Sequence, residues 1–268
     1  MKVAILLATH NKEKELPNVL YSIARQKTSF PFEVCIVDDC SKVDPEPIIR
    51  EFLPDAKYKR LDEWLPFDLA PNLCLDMVSD DVDVIVLMSS DVIVLQDDSI
   101  ERLCERVGDK KVVFGEVVNS PVSEVFCEKF DKRAGKVLKK WEQYVNGQTK
   151  IQMNDPYCSK KSRCLYTGRN IPTSWLFFLG AITKKNLIDI GYRENSCDAV
   201  LAPSMKESGF DAEILTYVRG LHQNHTKDLA VCSVSYDECE FWCARTRKRI
   251  SKPKSYFLKA KVVYERPK

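Results

Sequence analysis

Three short polar clusters carry most of the chemistry open to this chain: Thr9-His10-Asn11, Asp38-Asp39 and Ser89-Ser90-Asp91. Each follows an apolar run, Val3–Ala8, Val34–Val37 and Val82–Met88 in turn. Asp91 is the sharpest candidate. A hard divalent cation bridging two phosphates needs only one or two protein carboxylates and takes its other ligands from water or substrate oxygens. Held there, the ion would offset charge on a departing diphosphate as a Lewis acid. Asp38 and Asp39 are acceptors suited to an imide N–H of a pyrimidine or to a ribose hydroxyl. For any one cluster alone, a turn or helix cap is the plainer reading. Three at corresponding places favour a site. No strand is followed by G-x-G-x-x-G or G-x-x-x-x-G-K-[ST], so a dinucleotide fingerprint and a P-loop are both absent.

The elements that must position these clusters alternate between strand and helix. Val3–Ala8 is apolar throughout, the pattern of a parallel strand covered on both faces. Leu16, Val19, Leu20, Ile23 and Ala24 share one helical face, and Pro17 places the start of that helix near Glu15. Ile48, Ile49, Phe52 and Leu53 predict a second helix. Asp98-Ser-Ile-Glu101 has capping-box spacing ahead of Ile100, Leu103, Cys104 and Val107, with Gly108 as the stop. Val112–Val118 returns to strand, Trp175–Ile182 resumes the buried pattern, and Asp211–Gly220 reads as a helix with Ile214, Leu215 and Val218 inward. The rhythm predicts an α/β fold with a mostly parallel central sheet, helices on both faces and ligands at the carboxyl ends of the strands.

The 268 residues, 44% hydrophobic and 30% charged, suit one large globular domain with a modest appendage. Eleven cysteines form no C-x-x-C pair, and several sit in apolar runs as Cys35 does, so reduced core thiols and a cytoplasmic setting are expected. No apolar run reaches the length of a membrane span, and Val3–Ala8 is short for a signal peptide. A transporter, a secreted disulfide scaffold and a tail-like basic protein are excluded on composition. The net charge of +2 hides a polarised chain: Ala244–Lys268 holds ten Lys and Arg against the single acid Glu265.

In their order along the chain, several motifs resemble family 2 glycosyltransferases of the GT-A (Rossmann-like) fold. They are Val3–Asn11, Leu20–Gln26, Val34–Ser41, Asn72, Val84–Val92, Phe178–Ala181 and Gly209–Arg219. The resemblance covers Val3 to about Val118 and Trp175 to about Ser235. It implies a nucleotide-binding half over 1–118, a variable excursion over 119–174 and an acceptor and catalytic half over 175–243, followed by a basic C-terminal extension over 244–268. It implies an inverting transfer of a sugar from a nucleotide-diphosphate donor to an acceptor hydroxyl of a glycan, a lipid-linked sugar or a protein-linked sugar. Thr9 and Asp39 match the residues that hold the base. Ala8, Asn11, Asp38, Asn72, Ser89 and Ser90 fall among the other donor contacts. Asp91 matches the last Asp of the family's D-x-D element, which binds ribose, diphosphate and Mn²⁺ or Mg²⁺. Asp211 matches the catalytic base, and Gly180, Ala181 and Glu213 fall on the acceptor side.

Four departures bear on that expectation. Ser89 stands where the family has its first acidic ligand, which weakens the metal site. Pro71-Asn72 replaces an Arg near the phosphates, and Phe210 replaces an acidic neighbour of the base. His222 and His225 are nearby candidates for a metal ligand, earlier in the chain than the family's His. A catalytically impaired nucleotide-sugar- or glycan-binding module is therefore the alternative. A nucleotidyltransferase would want a Gly- and Arg-rich loop after the first strand, which Ala8-Thr-His-Asn-Lys12 is not. The basic tail is either a solvated extension or a contact for an anionic membrane face or a phosphate-bearing acceptor. Its interleaved Tyr256, Phe257 and Tyr264 come with no nucleic-acid module, which argues against nucleic acid. Trp141, Trp175, Phe177 and Trp242 read as core aromatics, with one of them open to stacking on an acceptor sugar.

Overall fold

A computed structural model describes residues 1–65, 70–120, 179–193, 198–223, 241–243, 248–250 and 260–263. Within them the chain forms β1 (Val3–Thr9), α1 (Leu16–Ala24), β2 (Phe32–Asp38), α2 (Glu46–Phe52), β3 (Lys57–Arg60), α3 (Ala70–Asp76), β4 (Val84–Ser89) and β5 (Val92–Val94). Then come α4 (Ser99–Cys104), β6 (Lys111–Ser120), β7 (Leu179–Thr183), α5 (Lys184–Asp189), α6 (Asp198–Glu207), β8 (Asp211–Gln223), β9 (Phe241–Cys243), β10 (Lys248–Ile250) and β11 (Ala260–Val263). Residues 121–178, which hold all but the start of the 119–174 excursion, the stretch after Gln223 that includes His225, and most of the basic tail lie outside the described residues.

The main sheet has the order β11-β8-β6-β7-β4-β1-β2-β3, and β7 alone runs antiparallel along that path. Alternation along β1 fixes both layers. Val3, Ile5 and Leu7 pack on one face with Leu16, Val19, Leu20 and Ile23 of α1, Ile49 of α2 and Ile100 and Leu103 of α4. Ala4 and Leu6 pack on the other with Cys74 and Leu75 of α3, Leu187 of α5 and Leu201 and Met205 of α6. Cys35, Cys74 and Cys104 are buried free thiols, and burial pushes each up to about 12, as expected of core residues.

Three local expectations are corrected. The Asp98–Glu101 spacing starts a helix, but its capping box is not formed. Asp98 pairs with Arg102 at 2.7 Å, and Glu101 accepts from the Ser29 hydroxyl and N–H. Asp211–Gly220 is strand and not helix, because β8 is central and buried on both faces. Ala212 and Ile214 pack with one layer, Leu215 and Val218 with the other. Its register against β6 slips between Leu215 and Arg219, a bulge that breaks the period of two and lets the apolar residues imitate helical spacing. Finally, the basic extension is not wholly an appendage. Ala260–Val263 adds β11 to the sheet beside β8, and β9 pairs with β10 across residue 244.

Candidate active site

The strand order places a topological switch point between β1 and β4. From β1 the chain winds outward through β2 to β3, then returns to β4 on the other side of β1. In such sheets the crevice outside the carboxyl ends at the switch point is where ligands bind. All three polar clusters lie along it. Thr9 ends β1 level with Asp38, which ends β2, and Ser89 ends β4 level with Ala8.

Two sharp turns crest the edge. Asn11 and Cys40 take left-handed backbone conformations (φ 50° and 55°), accessible to Asn and costly for Cys. The loops are laced together: Asn11 N–H donates to Ser41 Oγ at 2.8 Å, and Asn11 Oδ1 accepts from Lys42 N–H at 2.8 Å. Asp38 is fully buried and belongs to this scaffold. It accepts from the Ser41 hydroxyl and from Ser41 N–H at 3.3 Å, and Arg60 Nε lies 3.5 Å away. Asp39 differs. Its backbone N–H donates to Thr9 O and its Oδ1 accepts from Leu65 N–H, both at 2.8 Å. Burial pushes the Asp39 pKa above the usual carboxylate value, with the Leu65 N–H and the His10 charge pulling the other way. The buried Thr9 hydroxyl has no hydrogen-bond partner among the described residues, and neither has Asn72 Oδ1. Buried orphans are costly, and at a crevice they are what a bound ligand satisfies. A cavity of about 290 Å³ lined by Leu65, Asn72, Leu73, Asp76 and Arg193 opens next to them.

Across the switch point, Asp91 is nearly buried and doubly engaged. Its Oδ1 accepts from the Ser89 hydroxyl at 2.6 Å, and its Oδ2 lies 2.8 Å from Lys12 Nζ. The sequence reading passed over Lys12 because a lysine in a polar loop is unremarkable until its partner, distant in sequence, is known. Among the described residues no group of three His, Cys, Asp or Glu side chains could hold a metal ion. A divalent ion at Asp91 would have to displace the Lys12 ammonium and draw its remaining ligands from the donor.

The other expected residues fall elsewhere. Asp211 is exposed and begins β8 at the amino edge, paired in register with Lys111. It is the opposite end of β8 that reaches the crevice, where Gln223 N–H donates to Asp91 O at 2.9 Å. Between those levels β6 spans 10 residues, about 30 Å of strand, so Asp211 cannot share a substrate with Asp91. Glu213 is held in an ion pair with Arg106 at 2.8 Å and Lys111 at 3.1 Å. Gly180 and Ala181 are buried mid-strand between β4 and β6. Asp211 and Glu213 lie toward the amino edge, away from the crevice. His222 pairs through its backbone with Val92, next to Asp91.

One residue outside the sequence expectations, Asp198, begins a helix near the edge. After α5 the chain climbs along α3: Tyr192 OH donates to Pro71 O at 3.4 Å, and Asn72 Nδ2 donates to Arg193 O at 3.3 Å. From there α6 descends to the start of β8, so its first residue, Asp198, stands at its upper end. The signal was Leu201 and Met205, one turn apart and both buried, in a helix too short to show a longer period.

A sequence model described as "Glycosyl transferase family 2" matches residues 4–164. The chain belongs to that family. Chondroitin synthase from Escherichia coli is 38% identical to this family 2 chain over 64 residues, 23% of the chain and 9% of that relative. Among solved structures, S. aureus TarS 1–349 in complex with UDP-GlcNAc has a TM-score of 0.57 at 17% identity, covering 87% of this chain and 61% of TarS 1–349. The mannosyltransferase PcManGT from Pyrobaculum calidifontis, in complex with GDP-Man and Mn²⁺, gives 0.52 at 17% identity, covering 84% and 58%. The two structures share the fold, and the chain spans about three fifths of their length.

Proposed function

We propose that this chain transfers a sugar from a nucleotide-diphosphate donor to an acceptor hydroxyl with inversion. The reading is carried by the convergence of Thr9, Asp39 and Asp91 on the switch-point crevice, beside a cavity lined in part by Asn72, whose Oδ1 has no partner among the described residues. Family membership and the nucleotide-sugar complexes of TarS and PcManGT support it. Asp39 and Thr9 would take the base and ribose, whose N–H and hydroxyl groups match a carboxylate acceptor and a hydroxyl. The diphosphate would cross the gap between β1 and β4 beside Asp91. The resemblance implies Mn²⁺ or Mg²⁺ there, and when bound such an ion offsets the leaving group's charge.

Inversion needs a base on the face of the sugar opposite the diphosphate, in reach of the acceptor hydroxyl. Asp211 is on the wrong edge. Among the described residues Asp198 is our candidate, as the first residue of the helix that descends from the crevice level.

A thermal-shift and calorimetric screen of UDP, GDP, dTDP and CDP and their sugars, with and without Mn²⁺, tests the donor; native-state ligands raise the melting point. Hydrolysis or transfer of one nucleotide sugar, abolished by Asp198→Asn with donor affinity retained, is the expected result. Binding with no turnover across a broad acceptor panel would identify a binding module. No binding at all would overturn the proposal.

A further inference from the structure

We infer that Lys12 is the cation that meets the donor's diphosphate, with Asp91 holding it in place across the switch point. The inference rests on the nucleotide-diphosphate reading above and assigns the charge work of that site to a residue of the chain. Three observations carry it. First, the Lys12 ammonium lies 2.8 Å from Asp91 Oδ2, and Ser89 occupies the other carboxylate oxygen at 2.6 Å. Second, both partners are anchored through their backbones. Lys12 O accepts from Glu15 N–H at 3.2 Å and Leu16 N–H at 2.9 Å at the start of α1, while Asp91 O accepts from Gln223 N–H at 2.9 Å. The pair therefore bridges the end of β1 and the end of β4, where the diphosphate must cross.

Third, the neighbouring carboxylates are committed elsewhere. Asp38 is enclosed by Ser41 and Arg60, and Asp39 accepts from Leu65 N–H. A divalent ion entering beside Asp91 meets one carboxylate and a resident positive charge. Lysine suits the role: its ammonium is a point charge on a flexible four-carbon stem, so it can turn from Asp91 to a phosphate oxygen while remaining close to both. Charge-assisted hydrogen bonds to phosphate are strong in a site partly shielded from water. Ser89, where a second acid would recruit a metal, instead donates its hydroxyl to Asp91 Oδ1.

The test is calorimetry with UDP and GDP, each beside uridine or guanosine, in EDTA and in Mn²⁺. The preferred diphosphate should bind wild-type protein in EDTA within about threefold of its affinity in Mn²⁺. Lys12→Gln should weaken that diphosphate about tenfold or more in EDTA, leaving its nucleoside unchanged, and Lys12→Arg should recover most of the loss. A purely structural role for Lys12 would weaken nucleoside and diphosphate alike. Ser89→Asp, which supplies the second acid, should make binding depend on Mn²⁺. If EDTA abolishes wild-type diphosphate binding and Lys12→Gln binds normally in Mn²⁺, the inference is wrong while the donor reading stands. If neither diphosphate binds under any condition, the donor reading fails and takes this inference with it.

Discussion

The two edges of the central sheet carry similar residues and use them differently. At the amino edge, Glu33 accepts from Ser79 N–H at 2.8 Å, Ser79 Oγ at 2.7 Å and Lys57 Nζ at 3.0 Å, with Lys2 Nζ at 3.5 Å. Lys57 is in turn held by Met77 O at 2.9 Å and Ser79 Oγ at 2.7 Å. A broad hollow of about 650 Å³ lies at this edge too, but Lys184 on its wall is spent on Ser79 O and Asp80 O. At the carboxyl edge Asp39 Oδ1 accepts from Leu65 N–H, and among the described residues the Thr9 and Asn72 oxygens have no partner. Closed networks hold the fold. Open ones are left for a ligand, and the larger hollow is not the better site.

The most severe way to break this contrast is to exchange the roles of Asp91 and Asp211. Asp91→Ala should lower turnover of the donor by about a hundredfold or more. Asp211→Asn should keep it within about twofold, since the residue is exposed at the far end of β8. Steady-state kinetics on the two variants decides the point.

Next in size is Glu33. Burial pushes its pKa up, but Ser79 and Lys57 pull it down to about 2 from 4.5. A carboxylate depressed in the fold stabilises above its unfolded pKa, and the contribution disappears as pH falls from about 4.5 to about 2. Glu33→Gln should cost about 3 kcal/mol at neutral pH and flatten the acid limb of a urea-denaturation series, with nucleotide affinity unchanged.

Asp39 should behave in the opposite sense. Its pKa is raised, chiefly by burial, so the ionised form is disfavoured in the fold and its stability contribution worsens as pH rises above the ordinary carboxylate value. Asp39→Asn should therefore leave the melting temperature at neutral pH equal or higher, while weakening nucleoside binding about tenfold. The smallest effect belongs to Glu213. Arg106 and Lys111 lower its pKa against the upward push of burial, but both are partly solvated, so Glu213→Gln should cost about 1 kcal/mol and nothing in turnover.

How far these residues could be read from sequence follows from the range of the forces that place them. Strand ends were legible because an apolar run followed by Asp is a local pattern, and β1, β2 and β4 do end side by side, Thr9 level with Asp38 and Ala8 with Ser89. Pairings between distant positions were not. Lys12 acquires meaning only from Asp91, and β8 was mistaken for a helix because a bulge falls within its apolar residues. That misreading put Asp211 at a helix start, whereas it begins β8 at the amino edge. Asp198, the base proposed above, has no local signal of its own either: α6 follows Tyr192 and Arg193, whose hydrogen bonds to α3 no periodicity encodes.

Hydrogen–deuterium exchange, measured with and without whichever of UDP or GDP binds, tests the central claim that the carboxyl-edge crevice is the nucleotide site. The account predicts slowed exchange in the loops over 8–12, 38–41 and 89–92 and at the end of β8, with 211–215 and the loop holding Ser79 unchanged. Protection confined to 211–215 and the amino edge would contradict it.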